Sequence, residues 1–218
     1  MYKYETHLHT FPVSRCSKSS VRESLEYYKE LGYDGVFITN HFLDGNINID
    51  KTKPYHEKLR FYFSDYEEGL KIGKELGIKV FLGVELSDHG TDFLVYGLDM
   101  QWFWDHPEIM EMEKTAELQL MMDSGALVIQ AHPFRGRNPI RLFPRWVHGV
   151  EVGNAHDVET NPLALQYCRH YGLIEFAGSD NHRGPGQTVL AGVCCQEPID
   201  SAEDFVRKVK SGEAEIFY

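Results

Sequence analysis

The sequence predicts an α/β fold of the barrel type, and three observations carry that reading. Short apolar runs alternate with segments of helical period along nearly the whole chain, the pattern of a parallel sheet with helices packed on it. Runs such as Gly35-Val36-Phe37-Ile38 are continuously apolar, as strands buried on both faces are. Six runs end in, or just beyond, a histidine or carboxylate, and in parallel barrels the functional groups gather at the C-terminal strand ends. The length of 218 residues suits one such barrel. With no internal repeat, low-complexity tract or linker, one domain over 1–218 is expected.

The elements follow in order. Tyr2 to Leu8 reads as a strand, and Ser20 with Glu23 forms a capping box for a helix over Val21–Leu31, which Gly32 stops. A strand over 34–41 precedes a polar loop, 42–54, and a long helix over 55–76 that ends before Gly77. Strands are expected over Ile78–Val84 and Asp92–Leu98, then a helix over about 108–124 and a strand over 126–131. Trp102, Phe103 and Trp104 read as core or lid packing. A basic loop with Arg135, Arg137, Arg141 and Arg145 leads to a strand over Val147–Val152, a helix over 160–171 and a strand over Leu173–Gly178. The last elements are a strand over Val189–Cys195, a helix over Ser201–Lys210 and a short strand around Ala214–Phe217.

Composition bounds the function. A net charge of −11 argues against a stable duplex nucleic-acid partner, which needs a basic footprint. No apolar run is long enough to span a membrane, and no secretory signal is visible. Cys16, Cys168, Cys194 and Cys195 show no CxxC spacing, so reduced thiols and a cytoplasmic location are expected.

The strand-end residues are His7 and His9, His41, Glu85, His132, Glu151, and Asp180 with His182. Residues i and i+2 of a strand share a side, so His7 and His9 can aim at one point. Alone, a His-x-His is more often a pair of surface or hydrogen-bonded histidines. Six equivalent strand ends make a metal site the better reading, because imidazole and carboxylate suit zinc, manganese and iron. So many candidates point to more than one ion, and a carboxylate such as Glu85 can bridge two. Glu151 reads as a hydrogen-bond acceptor for a ligand histidine, or else as a ligand itself. Asn154 is a candidate substrate-contacting amide, with a turn cap as the alternative.

The set His7-x-His9, Thr39-Asn40-His41, Gly83-Val84-Glu85, Ala131-His132-Pro133 and Ser179-Asp180-Asn181-His182 resembles the PHP (polymerase and histidinol phosphatase) superfamily, over nearly the whole chain. That resemblance implies a distorted, TIM-like (β/α)7 barrel, two or three divalent metal ions, and phosphoester hydrolysis. It matches His7, His9, Glu85 and Asp180 to one metal position, Glu85 and His132 to a second, and His41 and His182 to a third. Two places depart from the pattern. The loop after the first motif reads Ser14-Arg15-Cys16-Ser17 where the family often has Asp or His, so Cys16 is either a thiolate ligand or an inert loop cysteine. The strand after Glu85 opens with Asp92 where many members have His; Asp92 or the turn residue His89 is the substitute, or the site is one ligand short.

Guanidinium groups match phosphate, which makes Arg135 and Arg183 candidate substrate contacts, with Lys18 beside them. Arg141 and Arg145 read as partners of acidic faces. The expectation is a metal-dependent phosphoesterase that uses a metal-activated water, with His132, Asp180 and His182 as ligands and no separate nucleophile. The substrate expected is a small phosphorylated molecule or a short nucleic-acid end. The rivals are an amidohydrolase-type C–N hydrolase, for which no bridging lysine is visible, and a metal-binding module without turnover. The oligomeric state is not legible.

Overall fold

The alternating runs form one nine-stranded sheet in the computed structural model, which describes residues 1–136 and 140–218. Arg137 of the basic loop lies outside the described residues. The strands are β1 (Tyr2–Leu8), β2 (Gly35–Ile38), β3 (Lys79–Asp88), β4 (Thr91–Tyr96), β5 (Leu127–Ala131), β6 (Gly149–Asn154), β7 (Ile174–Gly178), β8 (Gly192–Cys195) and β9 (Ala214–Phe217). The helices are α1 (Val21–Glu30), α2 (Tyr55–Leu76), α3 (Met100–Asp105), α4 (Lys114–Asp123), α5 (Asn161–Tyr171) and α6 (Ala202–Ser211).

The sheet runs β7-β6-β5-β4-β3-β2-β1-β8-β9 and curls nearly shut. Just past β7, Asn181 pairs with Leu8 of β1: its N–H donates to His7 O at 3.1 Å and its carbonyl accepts from His9 N at 3.0 Å. This seam brings the two ends of the seven-strand arc together at the end where the histidines lie. At the opposite end of β1, Tyr2–Tyr4 pair instead with β8, antiparallel, and β9 extends that edge.

Strict alternation of strand and helix fails in two places. β3 and β4 form a tight antiparallel hairpin through His89-Gly90, with no helix between them. β3 is also longer than its apolar run, because pairing with β4 carries it to Asp88. A parallel neighbour would need a crossover, so the two-residue turn alone dictates the reversal. Likewise, the described residues between β5 and β6 contain no helix. The helix expected over 108–124 forms only from Lys114, behind a short 3₁₀ turn at Pro107–Glu111.

Two helices illustrate why the local sequence folds this way. Ser20 caps α1 by accepting from Glu23 N, while the Glu23 carboxylate accepts from Ser20 N at 2.8 Å. α2 ends at Gly77, whose φ of 68° suits a residue without Cβ.

Inside the curl, Tyr4, Phe37, Phe81, Leu94, Tyr96, Ile129 and Phe176 from six strands pack with Phe205 of α6. Phe37 and Phe205 have ring centroids 4.3 Å apart. α6 closes the end away from the histidines, since Lys210 Nζ donates to Ala126 O, just before β5, at 3.0 Å. One end of the barrel is thus plugged with aromatic side chains and the other is left to polar groups. No described helix is long and apolar enough to cross a membrane. The four cysteines are free thiols.

His148, before β6, accepts the Val128 N–H at Nδ1 (3.1 Å), and burial pulls its pKa down to about 4. In the unfolded chain it protonates near 6.5, so acid favours unfolding. Its contribution is intact above pH 6.5 and is lost progressively down to pH 4, by on the order of 1–3 kcal/mol. The denaturant midpoint is expected to fall across that window, and to fall less in His148→Asn, whose amide oxygen can accept the same N–H. Equal slopes for both proteins would remove His148 as the cause.

Candidate metal centre

β1 is pleated so that His7 and His9 emerge on one side, and both are completely buried. His41 and Glu85 follow β2 and lie in β3, where they pair in register. His132 follows β5, and Asp180 and His182 follow β7. The backbone turns sharply at two of these positions. His132 and Asp180 have φ of 25° and 51°, a region costly for side-chain-bearing residues, though Asp and His enter it more readily than most. The strain at His132 is held by its own N–H, which donates to Glu151 Oε2 at 3.1 Å.

The fold brings the seven sequence-predicted ligands together. Three overlapping groups have ligand atoms within 4.8 Å of one another: His7, Glu85 and His132; His7, His9 and Asp180; and His9, His41 and His182. Glu85 lies at the middle. Its Oε1 is 3.2 Å from His7 Nε2 and 3.4 Å from His132 Nε2, and its Oε2 is 3.3 Å from His9 Nε2 and 2.6 Å from His41 Nδ1. Asp180 Oδ1 is 3.4 Å from His7 Nε2 and 3.3 Å from His9 Nε2. His9 therefore also joins the His41–His182 group, which the sequence did not show.

Electrostatics keep these groups charged despite burial. Burial would raise Glu85, but His41, His9 and His7 outweigh it and hold the carboxylate well below its usual range. Asp180 is likewise held down against burial, chiefly by His7 and Arg135. Burial would lower His7, but Asp180, Glu151 and Glu85 together hold it well above its usual value. His9 is driven well below, by burial first and then by His182 and His41.

Asp180 Oδ1 is buried there and makes no hydrogen bond, and buried His41 Nδ1 and Glu85 Oε2, 2.6 Å apart, have no partner beyond each other. Such atoms are costly to bury unless something binds them. The nitrogen and oxygen donor set fits a divalent cation of the zinc, manganese or iron type.

The remaining candidates divide. Glu151 does not face the cluster: Oε1 holds His7 Nδ1 at 2.9 Å, and Oε2 accepts from His132 N and from Asn154 Nδ2 at 2.8 Å. It orients two histidines from behind. Asn154 does not contact substrate space. It is fully buried, and its oxygen accepts from His156 N and Asp157 N at 2.9 Å each, which is the turn cap. Asp92 stands at the edge, with Oδ2 4.0 Å from His132 Nε2 and Oδ1 accepting from Ser87 Oγ at 2.7 Å. His89 points to solvent, 86% exposed. Cys16 is beside the cluster, and hydrogen bonds from His182 and His41 overcome burial to bring its thiol down to about 6. Arg135 does reach the centre, where it pairs with Asp180 and Asp157. Arg141 pairs with Asp88. Sequence reasoning missed Asp157, as well as Ser14, Asn40 and Asp65, which no spacing rule marks.

The cluster opens into a cavity of about 590 Å³. Lys18, Arg135, His156 and Arg183 line it, with Asn46, Ser87 and Asp92.

No protein-family model and no curated protein matches the sequence. Solved structures do match in fold. A two-domain Bacteroides vulgatus protein, containing a region predicted to be a PHP-like metal-dependent phosphoesterase, aligns with a TM-score of 0.73 at 17% identity, covering 100% of this chain. This chain spans 64% of that protein's length. PsfC from Pseudomonas syringae aligns at 0.67 and 15% identity, covering 100% of this chain and 92% of PsfC. An amidohydrolase from Chromobacterium violaceum, solved with sulfate and no metal, aligns at 0.53 and 13% identity, over 98% of this chain and 97% of that one. These matches cover 98–100% of the chain, and the chain therefore shares the fold of these proteins.

Proposed function

We propose that this protein is a metal-dependent phosphoesterase acting on a small phosphorylated molecule or a short nucleic-acid end. The observation that carries the reading is the convergence of two carboxylates and five histidines, whose ligand atoms fall into three overlapping groups each within 4.8 Å. His7, His9, His41, Glu85, His132, Asp180 and His182 would hold two or three divalent ions of zinc, manganese or iron, with Glu85 shared between them. Such ions supply charge for phosphoryl oxygens and a lowered pKa for water.

The rest falls to the chain's own groups. Arg183 and Lys18 line the cavity and would bind phosphate oxygens entering it, because charge-assisted N–H donors suit a phosphate. Arg135 adds a second guanidinium when phosphate displaces it from Asp180. Asp92 and Ser87 also line the cavity and would offer hydrogen bonds to the part of the substrate that leaves. The Chromobacterium structure is called an amidohydrolase, but among the described residues no lysine pairs with Glu85 or Asp180, and the bridging place would fall to Glu85. The test is a panel of phosphomonoesters and phosphodiesters with an amide control. Activity is expected to vanish on chelation and return with manganese or zinc. A metal-free protein that is fully active, or a fully loaded one that cleaves only the amide, would end the proposal.

A further inference from the structure

Four buried polar side chains outside the centre form a connected chain that neither packing nor the cavity accounts for. Thr10, Ser14, Asn40 and Asp65 are each at most 2% exposed. Their hydrogen atoms can be placed by logic. The Thr10 backbone N–H can only donate, and it lies 2.7 Å from Asn40 Oδ1, so that end of the amide is the oxygen. The amide nitrogen then donates to Thr10 Oγ1 at 2.9 Å and to Asp65 Oδ2 at 3.1 Å. Asp65, on α2, also accepts from Thr10 Oγ1 at 2.7 Å and from Val13 N at 3.3 Å.

Ser14 Oγ lies 2.8 Å from Asn40 Oδ1. Two oxygens at that distance need a proton between them, and only the serine has one. Its hydroxyl therefore donates to Asn40, and its oxygen is left to accept. It accepts from His41 N at 3.1 Å and meets His9 Nδ1 at 3.1 Å. His9 Nδ1 must then carry a proton, and in the neutral imidazole that a metal needs Nε2 is the bare nitrogen, facing Glu85, Asp180 and His7.

We infer that Asp65, Thr10, Asn40 and Ser14 form a relay that selects the Nδ1–H tautomer of His9 and so raises the metal affinity of the centre. These are positioning residues, and the inference rests on the metal reading above. A wrong tautomer would point an N–H at the cation. Without the relay His9 would divide between two tautomers, only one of which can ligate. Partners of this kind govern metal affinity by about 10- to 100-fold when removed.

The experiment uses the whole protein labelled with ¹⁵N-histidine. Long-range proton–nitrogen spectra of the metal-free protein, with His9 assigned through His9→Gln, are expected to show a protonated Nδ1 and a bare Nε2. In Ser14→Ala, checked for folding by its thermal transition, both tautomers are expected, with zinc binding weaker by about 10- to 100-fold. Asp65→Asn is expected to weaken zinc binding in the same direction, by less. A wild-type His9 with its proton on Nε2 overturns the relay, and so does folded Ser14→Ala with unchanged zinc affinity. Folded wild type that binds neither zinc nor manganese overturns the metal reading and the relay's effect on affinity, while the spectra still report the tautomer. The two failures are therefore distinguishable.

Discussion

Glu85→Gln is expected to lose most of its bound metal and to slow phosphoester hydrolysis by on the order of 10³-fold, about 4 kcal/mol. The substitution keeps shape and removes the negative charge at a residue whose oxygens approach four histidines, at 3.2, 3.4, 3.3 and 2.6 Å. It also replaces one acceptor oxygen with an N–H that would face a cation. The readouts are metal content after dialysis and kcat on the best substrate of the panel. Metal retained at the wild-type ratio, with kcat within tenfold, would exclude Glu85 as a shared ligand. A pH dependence accompanies this. His7 and His41 are held above their usual values by carboxylates, so metal must displace protons from them. Apparent affinity is expected to rise with pH through that raised range and to collapse in acid.

Gly178→Ala is expected to destabilise the protein by about 1–3 kcal/mol and to weaken metal binding with it. A Cβ at Gly178 would lie 2.5 Å from His7 Cβ, 2.9 Å from Glu151 Oε1 and 3.0 Å from Thr6 Oγ1. In a strand, alanine would otherwise gain about 0.5–1 kcal/mol over glycine through backbone entropy. Overlap wins here, because none of those three atoms is the free end of a flexible chain. Thr6 Oγ1 is bonded to Ala177 O, and Glu151 Oε1 is bonded to His7. The denaturant midpoint and the zinc dissociation constant should both move. An unchanged midpoint would show that β1 and β7 can part at no cost.

Much of this was legible in the chain because strand ends carry a positional meaning. An apolar run ending in His41, His132 or Asp180 places the polar group at the same end of the sheet as every other parallel strand does. What the runs could not convey was direction. The hairpin at His89-Gly90 reverses β4, and that single turn put Asp92 at the cavity edge and His89 in solvent. The role of Asn154 was equally hidden, since a turn cap and a substrate contact need the same amide. Only the neighbouring N–H groups of His156 and Asp157 decide between them.

Sequence by itself determined the α/β class, the span of most helices and the residues that converge. These follow from local period, caps and the chemistry of side chains. Tertiary structure alone decided which atoms meet. The closure of β7 on β1 through Asn181 and Leu8 sets His7 and His9 against Asp180, residues far apart in the chain. The orientation of Glu151 behind His7, and the proton logic from Asp65 to His9, depend on distances near 3 Å between elements that share no sequence pattern. Hydrogen bonds are that short-ranged, and periodicity carries no information about them.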